Sequence, residues 1–468
     1  MIWNCGTDRD YNGWAETTSD QGWNYENILP YIKRSENNTD PDIVGNGAYH
    51  GTTGNLTIST NVDDIFVRVF EDGFNELGYK TVKDYNSEQY NGFVRTQATI
   101  RDSERMSSYR AFIEPVKNNS NLYIMKRSLA IKIGFTGNKA TSVTVQTPWA
   151  PCSTITLTPT KEVIVSAGGL GSPKLLLQSG IGKSADLKPF GIKQVKSLPV
   201  GDNLMDHVYA VHFIKMNPNA GNLTLGDFLY VDQVYYYKRV GPLNQLDMAH
   251  GQGIINTTSP TATYPDIQFI PFRVPKMQEL TRELLANLKD EFIDHLVRIN
   301  ANYEFFMVFT VVLNPFSRGS IKLHSSNPND EPIIRSGYFE DPRDVETMIR
   351  GINKMKTLVE TKSFQSLNAS LVKIPIPECD PLPYPSDEYE KCYIKYFSAS
   401  LWHPSGTCKM GKTSAATTVV DSQLKVRGFK NLRVADASVM PVITTGNTQC
   451  PTYAIGQKAA DLIKASWL

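Results

Sequence analysis

The sequence predicts an α/β protein of two domains, and three observations carry that reading. At 468 residues with 41% apolar content, the chain is too long for one ordinary core and apolar enough to fill two. Near residue 165 a β-branched strand (Glu162, Val163, Ile164, Val165) runs through the small residues Ser166, Ala167, Gly168 and Gly169 into a helical pattern. From Val208 to Ser398 the texture changes to long strand-like pieces, among them the apolar run Phe305 to Leu313. A domain interrupted by a second one and resumed at the C-terminus is the simplest layout.

The elements follow in order. Residues 22–36 carry apolar side chains at helical spacing behind Asn24, a ready N-cap, and residues 62–77 repeat the amphipathic pattern. Residues 121–146 alternate apolar and polar around Gly137-Asn138, which predicts a hairpin. The stretch 172–180 predicts a helix with Pro173 at its first position and Gly180 as its stop. Further on, a charged helix is expected over 276–300, a turn at 317–320 and a helix over 341–362, with acids early and lysines late. A short strand at 432–435 and a helix at 452–465 close the chain.

A net charge of +1 without a basic stripe or acidic tail leaves neither nucleic acid nor an anionic membrane surface as an implied partner. The run Phe305 to Leu313 is far short of the ~20 residues that span a bilayer, so no membrane span is expected and a soluble globular chain is. Residues 1–6 are neither basic nor apolar enough for a secretory signal. Sequons at Asn37, Asn55, Asn118, Asn222, Asn256 and Asn368 point toward an extracellular protein, as do Cys379 and Cys392 on either side of a Pro-rich loop. That spacing alone leaves their pairing open.

Two motif matches fail on context. Residues 406–413 satisfy the P-loop pattern, but no buried strand precedes them and the β-branched 414–420 segment follows where a helix is needed. Residues 180–185 fit a loose dinucleotide pattern yet follow a helix, so they read as its stop. The junction 166–172 is more specific: its small residues either admit a flat or anionic ligand to the backbone or allow tight strand-helix packing. No Cys/His cluster has zinc spacing, so no metal site is expected.

The last 68 residues are the most informative. Leu401-Trp402-His403-Pro404-Ser405-Gly406-Thr407-Cys408 is followed by Asn431-Leu432-Arg433-Val434-Ala435-Asp436-Ala437-Ser438 and by Thr445-Gly446-Asn447-Thr448-Gln449-Cys450-Pro451. Together with Pro199 to His207 and the opening through Glu36, these stretches resemble the glucose-methanol-choline (GMC) family of flavin oxidoreductases over essentially the whole chain. The branch they look most like is the arthropod glucose-dehydrogenase-like one, with FAD as cofactor. The resemblance implies a fold of an FAD-binding domain made from residues 1–45, 101–210 and 412–468. A substrate domain from 46–100 and 211–411 would have an antiparallel sheet flanked by helices.

It also implies roles. His403 matches the base that takes an alcohol's hydroxyl proton while hydride goes to the flavin. The second catalytic position, His or Asn in the family, falls on Gln449, whose extra methylene displaces the amide. Ala130, Ala167, Gly168, Asp436, Ala437, Asn447, Thr448 and Pro451 match cofactor-side positions, with the amides of the helix at 452–465 facing the flavin ring. His50 and His207 receive no role.

Family members open with a Gly-rich dinucleotide fingerprint, and this sequence has none there, so the resemblance implies an incomplete FAD-binding domain lacking its N-terminal βαβ unit. The expected activity is FAD-dependent oxidation of the CH-OH group of an alcohol or sugar, with a quinone-type molecule or oxygen as acceptor. The alternative is a non-catalytic or truncated secreted scaffold that does not hold FAD by itself.

Overall fold

In the computed structural model, residues 1–60, 65–147, 154–217, 233–239 and 251–467 are described. The Asn222 sequon and part of the expected substrate domain lie outside them. The main strands are β1 (Thr81–Val82), β2 (Gly92–Arg95), β3 (Leu129–Thr136), β4 (Lys139–Gln146), β5 (Thr154–Leu157), β6 (Val163–Val165), β7 (Val208–Met216), β8 (Gly251–Ile255), β9 (Ile267–Val274), β10 (Glu304–Val312), β11 (Ser370–Leu371), β12 (Ser398–Ser400) and β13 (Leu432–Val434). The longer helices are α1 (Asp8–Thr18), α2 (Tyr25–Ser35), α3 (Ile65–Glu76), α4 (Gly168–Gln178), α5 (Gln278–Leu284), α6 (Asp290–Asn300), α7 (Pro342–Val359), α8 (Asp387–Phe397) and α9 (Gln449–Trp467).

The largest sheet runs β11-β7-β10-β9-β8-β2-β1, with β12 also on β7. Its neighbours are antiparallel except β1 with β2. Strand β10 reads as a continuous apolar run because both its faces are covered. Phe306, Val308 and Val312 pack with Met348, Ile352 and Met355 of α7, and the alternate residues Phe305, Met307 and Phe309 pack on the other side. Each such burial contributes about 1.5–3 kcal/mol. The Asp341 side chain accepts from the Arg343 N–H and Pro342 occupies the first turn, so α7 begins where its cap and dipole favour it.

The second core joins chain ends. Trp3, Trp14 and Trp23 are buried with Ile133, Val165, Leu176, Val434 and Ile455. The indole N–H groups of Trp14 and Trp23 donate to the carbonyls of Val442 and Ser422, each at 2.9 Å. A Cys5–Cys450 disulfide, which the sequence reading did not pair, fastens the same two segments, and a second joins Cys379 to Cys392. Strand β6 pairs with β13 in parallel, and β3 and β4 form the expected hairpin, with Gly137 at φ 57 in its turn. Residues 46–100, expected with the substrate domain, divide. Leu56 and Ile58 join this core, whereas Val67, Phe70 and Phe93 pack on the large sheet.

Three helix expectations are corrected. Helix α4 starts at Gly168, which places Pro173 inside it. Proline removes the bond to the Gly169 carbonyl four residues back, and the Thr407 hydroxyl donates to that carbonyl instead, at 2.6 Å. The expected helix at 276–300 is two helices, α5 and α6. The break lets Leu285 pack with Phe292 and Leu296, and Asn300 Oδ1 accepts from the Met277 N–H and the Thr281 hydroxyl. Helix α9 begins at Gln449 rather than at 452, so Gln449 sits in its first turn.

Candidate active site

His403 is placed by its backbone. The Asp206 carboxylate accepts from the His403 N–H at 2.8 Å and, through its other oxygen, from the Tyr338 hydroxyl at 2.6 Å and from Ser400. Burial pushes the Asp206 carboxyl up, and these donors hold it back. Met205 and Ser405 exchange backbone hydrogen bonds at 3.0 and 2.9 Å, so the segment before β7 runs beside the segment after β12. That pairing brings His207 against His403.

The hydrogen bonds then assign protons. His207 Nε2 lies 3.0 Å from the Leu313 carbonyl, which only accepts, so this nitrogen carries the hydrogen. Burial pushes the His207 pKa down to about 4, leaving a neutral ring whose Nδ1 is a lone-pair acceptor. His403 Nδ1, 2.9 Å away, must be the donor to it. The lone pair of His403 is therefore on Nε2. Burial, reinforced by His207, holds His403 well below the usual imidazole range, so this tautomer is neutral at pH 7.

His403 Nε2 faces Asn447 Nδ2 at 3.3 Å. Asn447 is turned that way because its Oδ1 accepts from Asn4 Nδ2 at 3.0 Å and from Gln268 Nε2 at 3.2 Å. Gln252 completes the network, accepting from Gln268 at 2.6 Å and exchanging bonds with Asn4 at 3.1 Å. These amides are buried and come from the chain start, β8, β9 and the turn before α9.

His403 and Asn447 border a cavity of about 1260 Å³. Its lining includes a face of α9 (Gln449, Thr452, Tyr453, Gly456, Gln457, Ala460) and, from the large sheet, Ile270, Phe272 and Phe309. The volume exceeds the roughly 300–1,000 Å³ of ordinary ligand pockets, leaving room for a large flat cofactor beside a substrate. Gln449 Nε2 reaches Thr99 Oγ1 at 3.5 Å, while its buried Oε1 has no partner among the described residues. An orphaned acceptor at the start of a helix that lines the cavity fits a polar-edged ring such as a flavin.

Two family models, both described as GMC oxidoreductase, match residues 1–209 and 315–456. The chain belongs to the GMC oxidoreductase family. Among its GMC relatives, the ecdysone oxidase of Bombyx mori is 34% identical over 469 residues, covering 99% of this chain and 68% of the relative. The glucose dehydrogenase [FAD, quinone] of Drosophila melanogaster is 32% identical over 473 residues, covering 100% and 72%. A solved FAD-dependent oxidoreductase from Chaetomium thermophilum superposes with a TM-score of 0.83 at 22% identity, covering 100% of this chain and 84% of that one. The mixed α/β architecture expected from the sequence is thus that of GMC flavoenzymes.

In this GMC chain the cavity gathers His403, Asn447, Thr448 and Gln449. Gln449, expected as the second catalytic position, lines the cavity with its amide toward Thr99, while the shorter Asn447 just ahead of the helix meets the imidazole. The Asp436 carboxylate is taken up by the Gly168 N–H at 2.9 Å, the Ser172 hydroxyl at 2.5 Å and the Ser438 N–H at 2.8 Å. It ties β13 to the β6–α4 junction. Ala437 accepts from the Gly406 N–H at 3.1 Å, Pro451 is buried in the first turn of α9, and Ala130 and Ala167 are exposed. None of these lines the cavity. His207, Asn4, Gln252 and Gln268 were missed, although a glutamine between Ile267 and Phe269 in an apolar strand is itself a signal of a buried polar task.

Proposed function

We propose that this GMC oxidoreductase oxidises the CH-OH group of an alcohol or sugar donor with FAD as cofactor, His403 Nε2 accepting the hydroxyl proton. The observation that carries this is the neutral, lone-pair-bearing Nε2 facing an amide N–H at the edge of the cavity. A donor hydroxyl bridging this pair from the cavity side gives its hydrogen bond to Nε2 and accepts one from Asn447 Nδ2–H. The amide also stabilises negative charge as the oxygen loses its proton. Thr448, Gln449 and the first-turn amides of α9 would hold the flavin ring, and FAD when bound supplies the two-electron acceptor for the hydrogen leaving the carbinol carbon. A quinone-type molecule or oxygen is the proposed final acceptor. An extracellular setting is proposed on the two disulfides.

The test is the visible spectrum of the purified chain after incubation with FAD and removal of the excess. Retained flavin absorbance that an alcohol bleaches anaerobically supports the enzyme, whereas no retained colour favours a binding scaffold.

A further inference from the structure

Resting on the CH-OH reading above, we infer that the Cys5–Cys450 disulfide is a positioning element of the reacting centre, locking the Asn4–Asn447 contact that aims an amide at His403. Cys5 follows Asn4, whose Nδ2 donates to Asn447 Oδ1 at 3.0 Å, and Cys450 follows Gln449 in the first turn of α9. Asn4, Cys5, Cys450, Gln449, Thr448 and Asn447 therefore form a closed ring. Every link in it is covalent except the final amide hydrogen bond. Thr448 and Gln449 in one arm of the ring line the cavity, and so do Met1 and Ile2, just ahead of the other arm.

The ring acts on a contact that is weak by itself. A neutral amide hydrogen bond brings a modest net gain, and Asn4 Nδ2 has a second acceptor in Gln252 Oε1 at 3.1 Å. Joining the two arms through the sulfurs keeps the partners at high effective concentration, so Asn447 Oδ1 stays occupied and its Nδ2 stays turned to His403 Nε2 at 3.3 Å. Close packing agrees with this. A Cβ on Gly446, which sits at φ 118, would lie 2.9 Å from the Asn4 Cβ, so the two backbones approach with no side chain between them.

Other ties between the same segments stop short of the ring. The Asp10 carboxylate accepts from the Thr445 N–H and hydroxyl, each at 2.9 Å, and the Trp14 indole donates to the Val442 carbonyl. On the other arm, Asn86 accepts from the Cys5 N–H at 2.8 Å and the Tyr11 hydroxyl donates to the Cys5 carbonyl at 2.6 Å. These contacts hold the fold when the disulfide is removed, yet leave residues 447–450 able to shift. The Cys379–Cys392 disulfide supplies the contrast, since it packs in the core beside β7 and α8 and lines no part of the cavity.

A variant cycle on the full FAD-loaded chain tests this. Cys5→Ser/Cys450→Ser, with Cys5→Ala/Cys450→Ala as a second variant that puts no hydroxyl in the core, should slow flavin reduction by an alcohol on the order of 10-fold, with little change in KM. The same change made on Asn447→Ala should cost nothing further, although the thermal midpoint falls in both backgrounds. Cys379→Ser/Cys392→Ser should lower the midpoint and keep the rate. An unchanged rate in the folded Cys5/Cys450 variant, or an equal loss on Asn447→Ala, would overturn the inference and leave the CH-OH reading standing. If no alcohol bleaches the flavin even in the parent chain, the CH-OH reading falls alone. The disulfide is then judged by diethyl pyrocarbonate modification of His403, followed by mass spectrometry. Removing it should quicken that reaction about threefold or more, because Nε2 loses the donor held against its lone pair, and an unchanged rate would sink the inference.

Discussion

The imidazoles of His207 and His403 meet through their Nδ1 atoms, 2.9 Å apart. The Leu313 carbonyl that holds His207 Nε2 thereby determines which nitrogen of His403 is basic. A backbone group at the end of β10 thus sets the tautomer of a side chain in a loop ninety positions later in the chain. The chemistry proposed for His403 depends on that relay.

His403→Ala removes the proton acceptor. Turnover with the best alcohol should fall on the order of 10²–10⁴-fold. The spectrum of bound flavin should persist, because the residues proposed to hold the ring lie on and just before α9. Stopped-flow reduction of the flavin measures both.

Asn447→Ala and Gln449→Ala distinguish the two amides. Loss of a donor at the reacting oxygen costs about 10²–10³-fold in kcat, so Asn447→Ala should be severe. Gln449→Ala should cost less than about 10-fold in kcat and act mainly on flavin affinity, since its amide is aimed at Thr99. The reverse ranking would support Gln449 as the second catalytic position.

Gln268→Leu removes a donor to Asn447 Oδ1 and frees that amide to turn. We expect kcat to drop on the order of 10–100-fold with little change in KM, because misorientation acts on the transition state more than on binding. The double variant Gln268→Leu/Asn447→Ala should be no worse than Asn447→Ala alone, and full additivity would show the two residues act independently.

Stability should respond to pH through histidines of opposite sign, His207 with His403 on the acid side and His50 on the alkaline side. His207 has its folded pKa lowered to about 4, so the unfolded chain binds the extra proton and stability falls as pH drops from about 6.5 toward 4. The loss amounts to about 3 kcal/mol if the shift holds in full. For His50, burial opposes the charge, but Asp84 and Glu36, each at 2.9 Å, outweigh it and raise the pKa to about 9. Its contribution is complete below about 6.5 and is lost as pH rises through 9. Urea midpoints across pH should show the acid limb flatten in His207→Gln and the alkaline limb flatten in His50→Gln.

Much of this was legible in the residues. The cap at Asn24, the hairpin at Gly137-Asn138, the helix behind Asp341 and the strand from Phe305 rest on neighbours within one or two turns, and each is found. The start of α4 was misread because the partner that tolerates Pro173 inside the helix, Thr407, is more than two hundred residues away.

By itself the sequence determined the α/β class and the family and singled out His403 as a candidate, because periodicity and the motifs that carry the resemblance are local quantities written along the chain. Only the tertiary structure decided which amide faces that imidazole and which nitrogen carries the proton. Those choices depend on hydrogen bonds that join Asn4, Gln268 and Asn447 across separations of 443 and 179 residues, which no local pattern records.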